Sequence, residues 1–200
     1  MSKTISKQQF DVLCVSRYFF MFPIRVSAES CEAAILKIKS AFDASFGDGC
    51  MYTITPIVAT PAPLIFASNV ETINSGMANV PHYTSNTLDI IRDFCWAYMN
   101  VYTEECGQLN YEIDRIASGY VLYTRIGGKR ALVDPIALKT RRDKYKASAY
   151  DMAHKIQTFC DALEIKFSAY DEMEKLITEA YAKAQSRHLA NKARRTHDQL

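Results

Sequence analysis

Apolar residues recur at steps of three and four positions through much of the second half of the chain, and wherever this period occurs it predicts an α-helix. The first such stretch contains Leu88, Ile91, Cys95, Tyr98, Tyr102, Cys106, Leu109, Ile113 and Ile116. Gly119 is a natural helix stop, whereas Gly107 inside the stretch costs about 1 kcal/mol relative to alanine. We therefore expect one helix here, or two helices that meet at Gly107.

A second helical pattern occupies the last sixty residues. Its apolar positions step by four and three, a near-heptad seam, and are Tyr145, Ala149, Met152, Ile156, Phe159 and Leu163. Ser168 followed by Asp171 resembles a capping box, which predicts that a new helix begins there. The inward positions of that helix are Met173, Leu176, Ile177 and Ala180 or Tyr181, and it ends in a basic run, Arg187 to Arg195.

A β-hairpin is predicted between these helical segments, over residues 120–133. Two β-prone arms flank the pair Gly127-Gly128, a strong signal for a two-residue hairpin turn. Asp134-Pro135 then ends the hairpin and begins the next helix.

The first third of the chain has the pattern strand, helix, strand. Tyr18–Val26 is aromatic and β-branched, and Met51–Val58 alternates in polarity, so both are strand candidates. Ser27 or Ser30 is the expected cap of the intervening helix, which ends near Gly47. Its apolar face carries Ala33, Ala34, Ile35, Ile38 and Phe42. Two strands so connected normally pair in parallel with a right-handed crossover.

These elements predict an α+β fold: an N-terminal βαβ-like unit followed by a helix-rich C-terminal half with one hairpin. Two hundred residues suffice for a single domain, 1–200. Residues 59–85 are poor in charge and rich in Pro, Asn, Ser and Thr. They therefore mark a boundary between two sub-units, 1–84 and 85–200.

The charged residues are sorted along the chain, which the formal net charge of +2 conceals. Between Asp43 and Asp114 there are nine acidic residues and one base, whereas between Arg115 and Lys155 there are ten bases and three acidic residues. Such segregation produces local fields that steer charged partners.

The basic segment is the best candidate for an anion-binding or partner-binding site. Its members are Arg125, Lys129, Arg130, Lys139, Arg141, Arg142, Lys144 and Lys146, with Tyr123 and Tyr145 among them. Phosphate binding needs several cations on one surface, and aromatic rings add stacking on bases. The alternative is a solvated face whose bases pair with the chain's own acidic segment, 104–114.

The acidic middle of the chain has two interpretations of its own. Its carboxylates are Asp89, Asp93, Glu104, Glu105, Glu112 and Asp114. They either imitate nucleic acid toward a basic partner or form an ordinary solvated helix face.

Neither a catalytic motif nor a cofactor motif accompanies these charges, so we expect no enzyme and no cofactor. The six cysteines include no CxxC pair, which argues against a local metal site. The longest uncharged run, Gly49 to Val70, is interrupted by three prolines and predicts no membrane span. Since the start of the chain is polar and has no secretory signal, reduced thiols in a cytoplasm are expected.

The sequence therefore predicts a non-catalytic interaction protein that docks onto a macromolecular partner, a protein or nucleoprotein complex, through its charge-segregated, tyrosine-rich surface. In type, the chain is similar to small effector or inhibitor proteins of phages and other mobile elements, on its size, missing enzyme motifs and sorted charge. The alternative is direct nucleic-acid binding by residues 125–146. The third interpretation is an enzyme whose active site is assembled from distant residues.

Overall fold

A computed structural model of the protein describes residues 7–16, 21–47, 54–61 and 87–197. The elements in chain order are β1 (Gln8–Ser16), β2 (Met21–Ala28), α1 (Cys31–Phe46), β3 (Ile54–Pro61), α2 (Thr87–Ala117), β4 (Tyr123–Ile126), β5 (Lys129–Leu132), α3 (Pro135–Ala162) and α4 (Ala169–His197). A small N-terminal sheet precedes a helix-rich half that carries one hairpin, so the predicted α+β class is confirmed.

The chain folds into two compact units, each built from two segments. The first unit comprises the described residues up to Phe94 together with Lys155–Phe167, and the second comprises Cys95–His154 together with the described residues from Ser168 onward. The division predicted at residue 84 stays a prediction, because residues 62–86 lie outside the described part of the chain.

The sheet of the first unit has the strand order β2-β1-β3, with β1 antiparallel to both neighbours. The predicted parallel pairing of β2 with β3 is therefore wrong. These strands run in the same direction, but β1 lies between them. The sequence interpretation missed β1 because its start is polar, although Phe10, Val12 and Cys14 alternate in the way a half-buried strand requires.

Helix α1 packs on one face of this sheet and buries Ala34, Ile38 and Phe42. Its predicted boundaries are confirmed. The Ser30 hydroxyl accepts a hydrogen bond from the Ala33 amide at 3.2 Å, and the helix ends at Gly47, whose φ is +66°. A serine cap and a glycine stop satisfy backbone groups that a helix leaves open at its two ends.

The register of β1 against β2 includes a cross-strand ion pair. Asp11 lies directly opposite Arg25 and is only 4% exposed. Arg25 donates from Nε to Oδ1 at 2.7 Å and from Nη2 to Oδ2 at 2.8 Å. Because such a bidentate pair requires fixed geometry, it favours this register over a shifted one.

Helix α2 is continuous from Thr87 to Ala117, so no break occurs at Gly107. The glycine has a packing reason instead. A methyl group at position 107 would lie 2.6 Å from the Ala180 Cβ and the Ile177 carbonyl oxygen, and 2.7 Å from the Tyr181 amide nitrogen. Gly107 therefore permits the close approach of α2 and α4 in the second unit.

The predicted starts of the last two helices are also confirmed. Asp134 Oδ1 accepts from the Ile136 amide at 2.9 Å, and the Ser168 hydroxyl accepts from the Asp171 amide at 3.2 Å. Of the residues predicted to face inward, Ala149, Ile156, Phe159, Leu163, Met173, Ile177 and Ala180 are buried. Tyr145, Met152, Leu176 and Tyr181 are half-buried. None of the helices in the described part of the chain contains a stretch long and apolar enough to cross a membrane.

Candidate functional site: a basic hairpin arm

The predicted hairpin is present, and we call residues 120–133 the hairpin arm. Strand β4 pairs antiparallel with β5, and Ile126 lies opposite Lys129 across the two-glycine loop. Gly127 and Gly128 have φ values of +56° and +77°, the signature of a type I′ turn. A hydrogen bond from the Val133 amide to the Leu122 carbonyl, at 3.1 Å, extends the ladder.

The hairpin arm exposes both of its faces. Among its described side chains only Leu122, Ala131 and Val133 are half-buried, and the others are exposed. A two-stranded ribbon of this kind gains little stability from burial. Its side chains are therefore available to a partner.

One face of the arm, which we call the cationic face, combines arginine with an aromatic ring. The register places Arg125 opposite Arg130 and Tyr123 opposite Leu132, so these four side chains share a face. The Arg130 guanidinium lies 3.7 Å from the centre of the Tyr123 ring, at cation–π distance. Like charges directly across a strand pair are destabilising. Neither arginine forms an ion pair with another described residue.

Large aliphatic side chains are exposed on the hairpin arm and just after it. Val121 and Leu132 on the arm are 60% and 67% exposed, and Ile136 in the first turn of α3 is 74% exposed. A single exposed aliphatic residue needs no explanation, but contiguous exposed apolar surface is typical of interaction sites. The arm thus offers apolar contact and positive charge together.

The predicted cations on α3 behave differently, because several contact the chain's own polar residues. Arg141 donates to Glu105 at 2.7 Å, and Arg142 donates to Asn110 at 3.3 Å and to Asp143 at 2.7 Å. Only the Arg141–Glu105 pair matches the alternative in which the bases pair with the acidic segment 104–114, because Arg142 pairs with Asp143 and contacts the neutral Asn110.

Two further residues of the predicted site are also engaged. Lys146 forms an ion pair with Glu174, with 2.9 Å between Nζ and Oε1. Arg141 hydrogen-bonds the half-buried Tyr145, and this bond, with nearby Glu105, raises the pKa of the guanidinium. The Tyr145 side chain is therefore already engaged by Arg141.

The remaining predicted cations are Lys129, Lys139 and Lys144, all exposed. None of the three pairs with an acidic residue in the described part of the chain. Arg125, Lys129, Arg130, Lys139 and Lys144 are thus exposed and form no ion pair with a described residue, while Arg141, Arg142 and Lys146 contribute to the second unit's own contacts.

The acidic segment is largely used inside the second unit. Glu104 forms an ion pair with Lys183, which lowers the pKa of the Glu104 carboxyl. Asp114 accepts a hydrogen bond from the Tyr181 hydroxyl at 3.0 Å, and this bond raises the pKa of that phenol. Carboxylates engaged in this way cannot all be presented together to a basic partner.

An aromatic cluster links the base of the hairpin arm to α4. The Arg115 guanidinium lies 5.8 Å from the Tyr111 ring centre and 5.2 Å from that of Tyr120. Tyr111 in turn packs edge-on against Tyr181 at 5.6 Å and lies 6.0 Å from His188. Sequence reasoning missed this cluster because its members come from three separate segments.

Two buried cysteines of the described part of the chain are poor nucleophiles. Burial raises the pKa of the Cys14 and Cys160 thiols to about 12, so neither is a ready nucleophile. The described residues contain no group of three or more His, Cys, Asp or Glu side chains arranged to hold a metal ion.

A groove between α2 and α4 is lined by Trp96, Asn100, Thr103, Leu176, Glu179, Ala180, Glu104 and Lys183. The last two of these residues are already paired with each other. Lys183, the one base among these lining residues, is therefore engaged by Glu104.

No known protein family, curated protein or solved structure matches this chain.

Proposed function

We propose that this protein is a non-catalytic interaction protein that docks onto an acidic protein surface, within a protein or nucleoprotein complex, through its hairpin arm. The observation that carries the proposal is the composition of the arm's exposed side chains. Arg125, Lys129 and Arg130 supply charge, while Leu132 and Ile136 supply apolar area beside it.

The aliphatic residues favour a protein partner over a nucleic acid. Phosphates and sugars offer no apolar counterpart to Leu132, Val121 or Ile136, whereas protein interfaces combine an apolar centre with a charged rim. Arginine and tyrosine, both present on the cationic face, are enriched among the residues that dominate such interfaces. Electrostatic attraction between the arm and an acidic partner would accelerate their encounter.

Direct nucleic-acid binding by residues 125–146 is the second candidate, and one observation favours it. Arg125 and Arg130 are paired across the two strands without an acidic neighbour among the described residues, and Tyr123 lies beside them. Two adjacent guanidinium groups suit a phosphate, and an exposed tyrosine ring can stack on a base.

We also propose that the protein acts in a reducing cytoplasm as an effector or inhibitor of the phage or mobile-element type. The five described cysteines form no disulfide bond, which supports such a compartment. A projecting arm that occupies a partner's surface is a direct way to inhibit that partner.

The test is capture of the tagged protein's partners from native lysate, with and without nuclease. We expect a defined protein to remain bound after nuclease treatment. Two double variants separate the charged from the apolar contribution. Arg125→Glu with Arg130→Glu reverses the charge, and Leu132→Ser with Ile136→Ser removes the apolar side chains. Each should weaken capture by at least about tenfold, since loss of central contacts commonly costs more than about 1 kcal/mol.

The matched control reverses two exposed charges in the first unit, Lys39→Glu with Lys166→Glu, which changes the net charge equally. Capture should survive this change. Loss of every partner on nuclease treatment would instead favour the nucleic-acid candidate. Retention of the same partner by both hairpin variants would refute docking through the arm.

A further inference from the structure

The last turns of α4 form a second exposed surface whose chemistry differs from that of the hairpin arm. From Gln185 to Arg194 every side chain is exposed except His188, which is half-buried. A helix that is exposed on nearly all sides gains little from the core of its own domain. The side chains of this segment are therefore exposed to solvent on nearly all sides of the helix.

This segment is basic and has few apolar side chains. Arg187, Lys192 and Arg194 fall within it, and the sequence from Ala180 to His197 contains no acidic residue. Leu189, at 58% exposure, is its single exposed large hydrophobic residue. Apart from Leu189 and His188, the positions between the cations are alanine or asparagine, so a charged backbone can approach the helix closely along most of its surface.

The cations lie on two flanks of the helix. Arg187 and Arg194 are seven residues apart, which places them within about 20° of each other around the axis and about 10 Å apart along it. Lys192 is about 140° away from Arg187 around the same axis. A helix that lies between two phosphate strands needs this distribution.

The part of α4 that leads into this segment contacts α2. Lys183 forms its ion pair with Glu104, Tyr181 donates to Asp114, and His188 packs near Tyr111. Arg187 is also close enough to Glu104 to help lower the pKa of that carboxyl. Residues beyond His188 therefore extend from a fixed base.

We propose that the α4 segment Arg187–Arg194 binds double-stranded DNA by lying in the major groove and contacting phosphates on both strands. A helix about 10–12 Å across matches a groove about 12 Å wide. The deep, narrow major groove of A-form RNA excludes such a helix. An anionic membrane is a poor occupant because the segment lacks an apolar face. This proposal is independent of the hairpin arm.

The test measures binding of the full chain to a fluorescent duplex of mixed sequence, about 20 base pairs long, by fluorescence anisotropy between about 50 and 200 mM salt. Three phosphate contacts predict a slope of about −3 for log K against log salt. Replacement of Arg187 and Arg194 by Glu should lower affinity at least about tenfold and reduce the slope by about 2.

The effect of net charge alone is measured with Lys39→Glu and Lys166→Glu together. This variant should leave DNA binding within about twofold of the wild type, since neither lysine belongs to the proposed site. Circular dichroism and a thermal melt show whether each variant is folded. Arg187→Gln with Arg194→Gln provides a milder second test, with loss in the same direction.

Equal weakening by the control pair, equal affinity for duplex RNA, or no DNA binding by the wild type would each overturn the proposal. So would DNA binding that is lost in Arg125→Glu with Arg130→Glu but unchanged in the α4 variant. A failure here leaves the hairpin proposal intact, because that proposal is measured by protein capture after nuclease treatment.

Discussion

Gly107 shows how a single missing side chain allows two helices to pack. Its Cα lies against the backbone of α4, where the nearest atoms belong to Ile177, Ala180 and Tyr181. Backbone atoms must move to admit the methyl group of Gly107→Ala, which costs about 1–3 kcal/mol. Alanine returns roughly 1 kcal/mol through helix propensity, so we predict a net destabilisation of up to about 2 kcal/mol. Urea denaturation measures the difference.

Gln108→Ala is the matched control for this prediction, since Gln108 is the exposed neighbour on the same helix. It should change the free energy of unfolding by no more than about 0.5 kcal/mol. A Gly107→Ala protein as stable as the wild type would show that α2 and α4 have room to separate at no cost.

The sequence reveals what a residue is but not which distant residue it contacts. The propensity cost of Gly107 can be calculated from the sequence, yet its compensation lies about seventy positions away in α4. Arg141 and Arg125 look alike in sequence, but only Arg141 reaches a carboxylate, that of Glu105. Which predicted site residues remain available to a partner could therefore be decided only in three dimensions.

The hairpin arm was predictable as an element because its turn chemistry is local. Gly127 and Gly128 both adopt positive φ values that β-branched residues strongly disfavour. We predict that Gly127→Val with Gly128→Val disorders the arm and weakens partner capture by at least about tenfold, the loss expected when interface contacts are removed. The unfolding midpoint should hardly move, because the arm buries little of itself.

Gly127→Asn with Gly128→Asn is the matched control, since asparagine accepts the backbone conformation of a type I′ turn. This variant should retain capture.

Hydrogen exchange provides a second measurement. The arm's amides should exchange faster than those of α2 in the wild type, and they should lose their remaining protection in the valine variant. A large loss of global stability in the valine variant would show that the arm belongs to the core.

Elements specified by local signals were predicted well, whereas strand pairing was not. Ser30, Ser168 and Asp134 begin helices where their cap patterns predicted. The sheet required knowledge of β1, whose polar first residues conceal a strand, and of its place between β2 and β3. Pairing order depends on contacts between distant segments, and no local pattern encodes it.

Across the whole molecule, the fold separates charges that the net value of +2 conceals. The carboxylates of Glu104 and Glu105 are paired within the second unit. Exposed cations remain on the hairpin arm and on the end of α4. Several large apolar side chains accompany the cations of the hairpin arm, whereas Leu189 is the single one among the described cations of α4. This difference underlies the proposed partners, an acidic protein for the arm and a DNA duplex for α4. A nucleoprotein complex offers both.

Simultaneous use of both surfaces leads to a quantitative prediction for the whole protein. When two sites on one partner are joined, the second contact forms at a high effective concentration, and overall affinity rises by about 10²–10⁴ over either contact alone. On an intact nucleoprotein, the wild type should therefore bind at least about a hundredfold more tightly than Arg187→Glu with Arg194→Glu. Biolayer interferometry against the captured complex measures this ratio.

Nuclease treatment of the complex should reduce the affinity of the wild type to that of Arg187→Glu with Arg194→Glu and leave the affinity of this variant unchanged. If nuclease has no effect on the wild type, or if the two proteins bind the intact complex equally, the surfaces do not act together, and the hairpin arm alone accounts for docking.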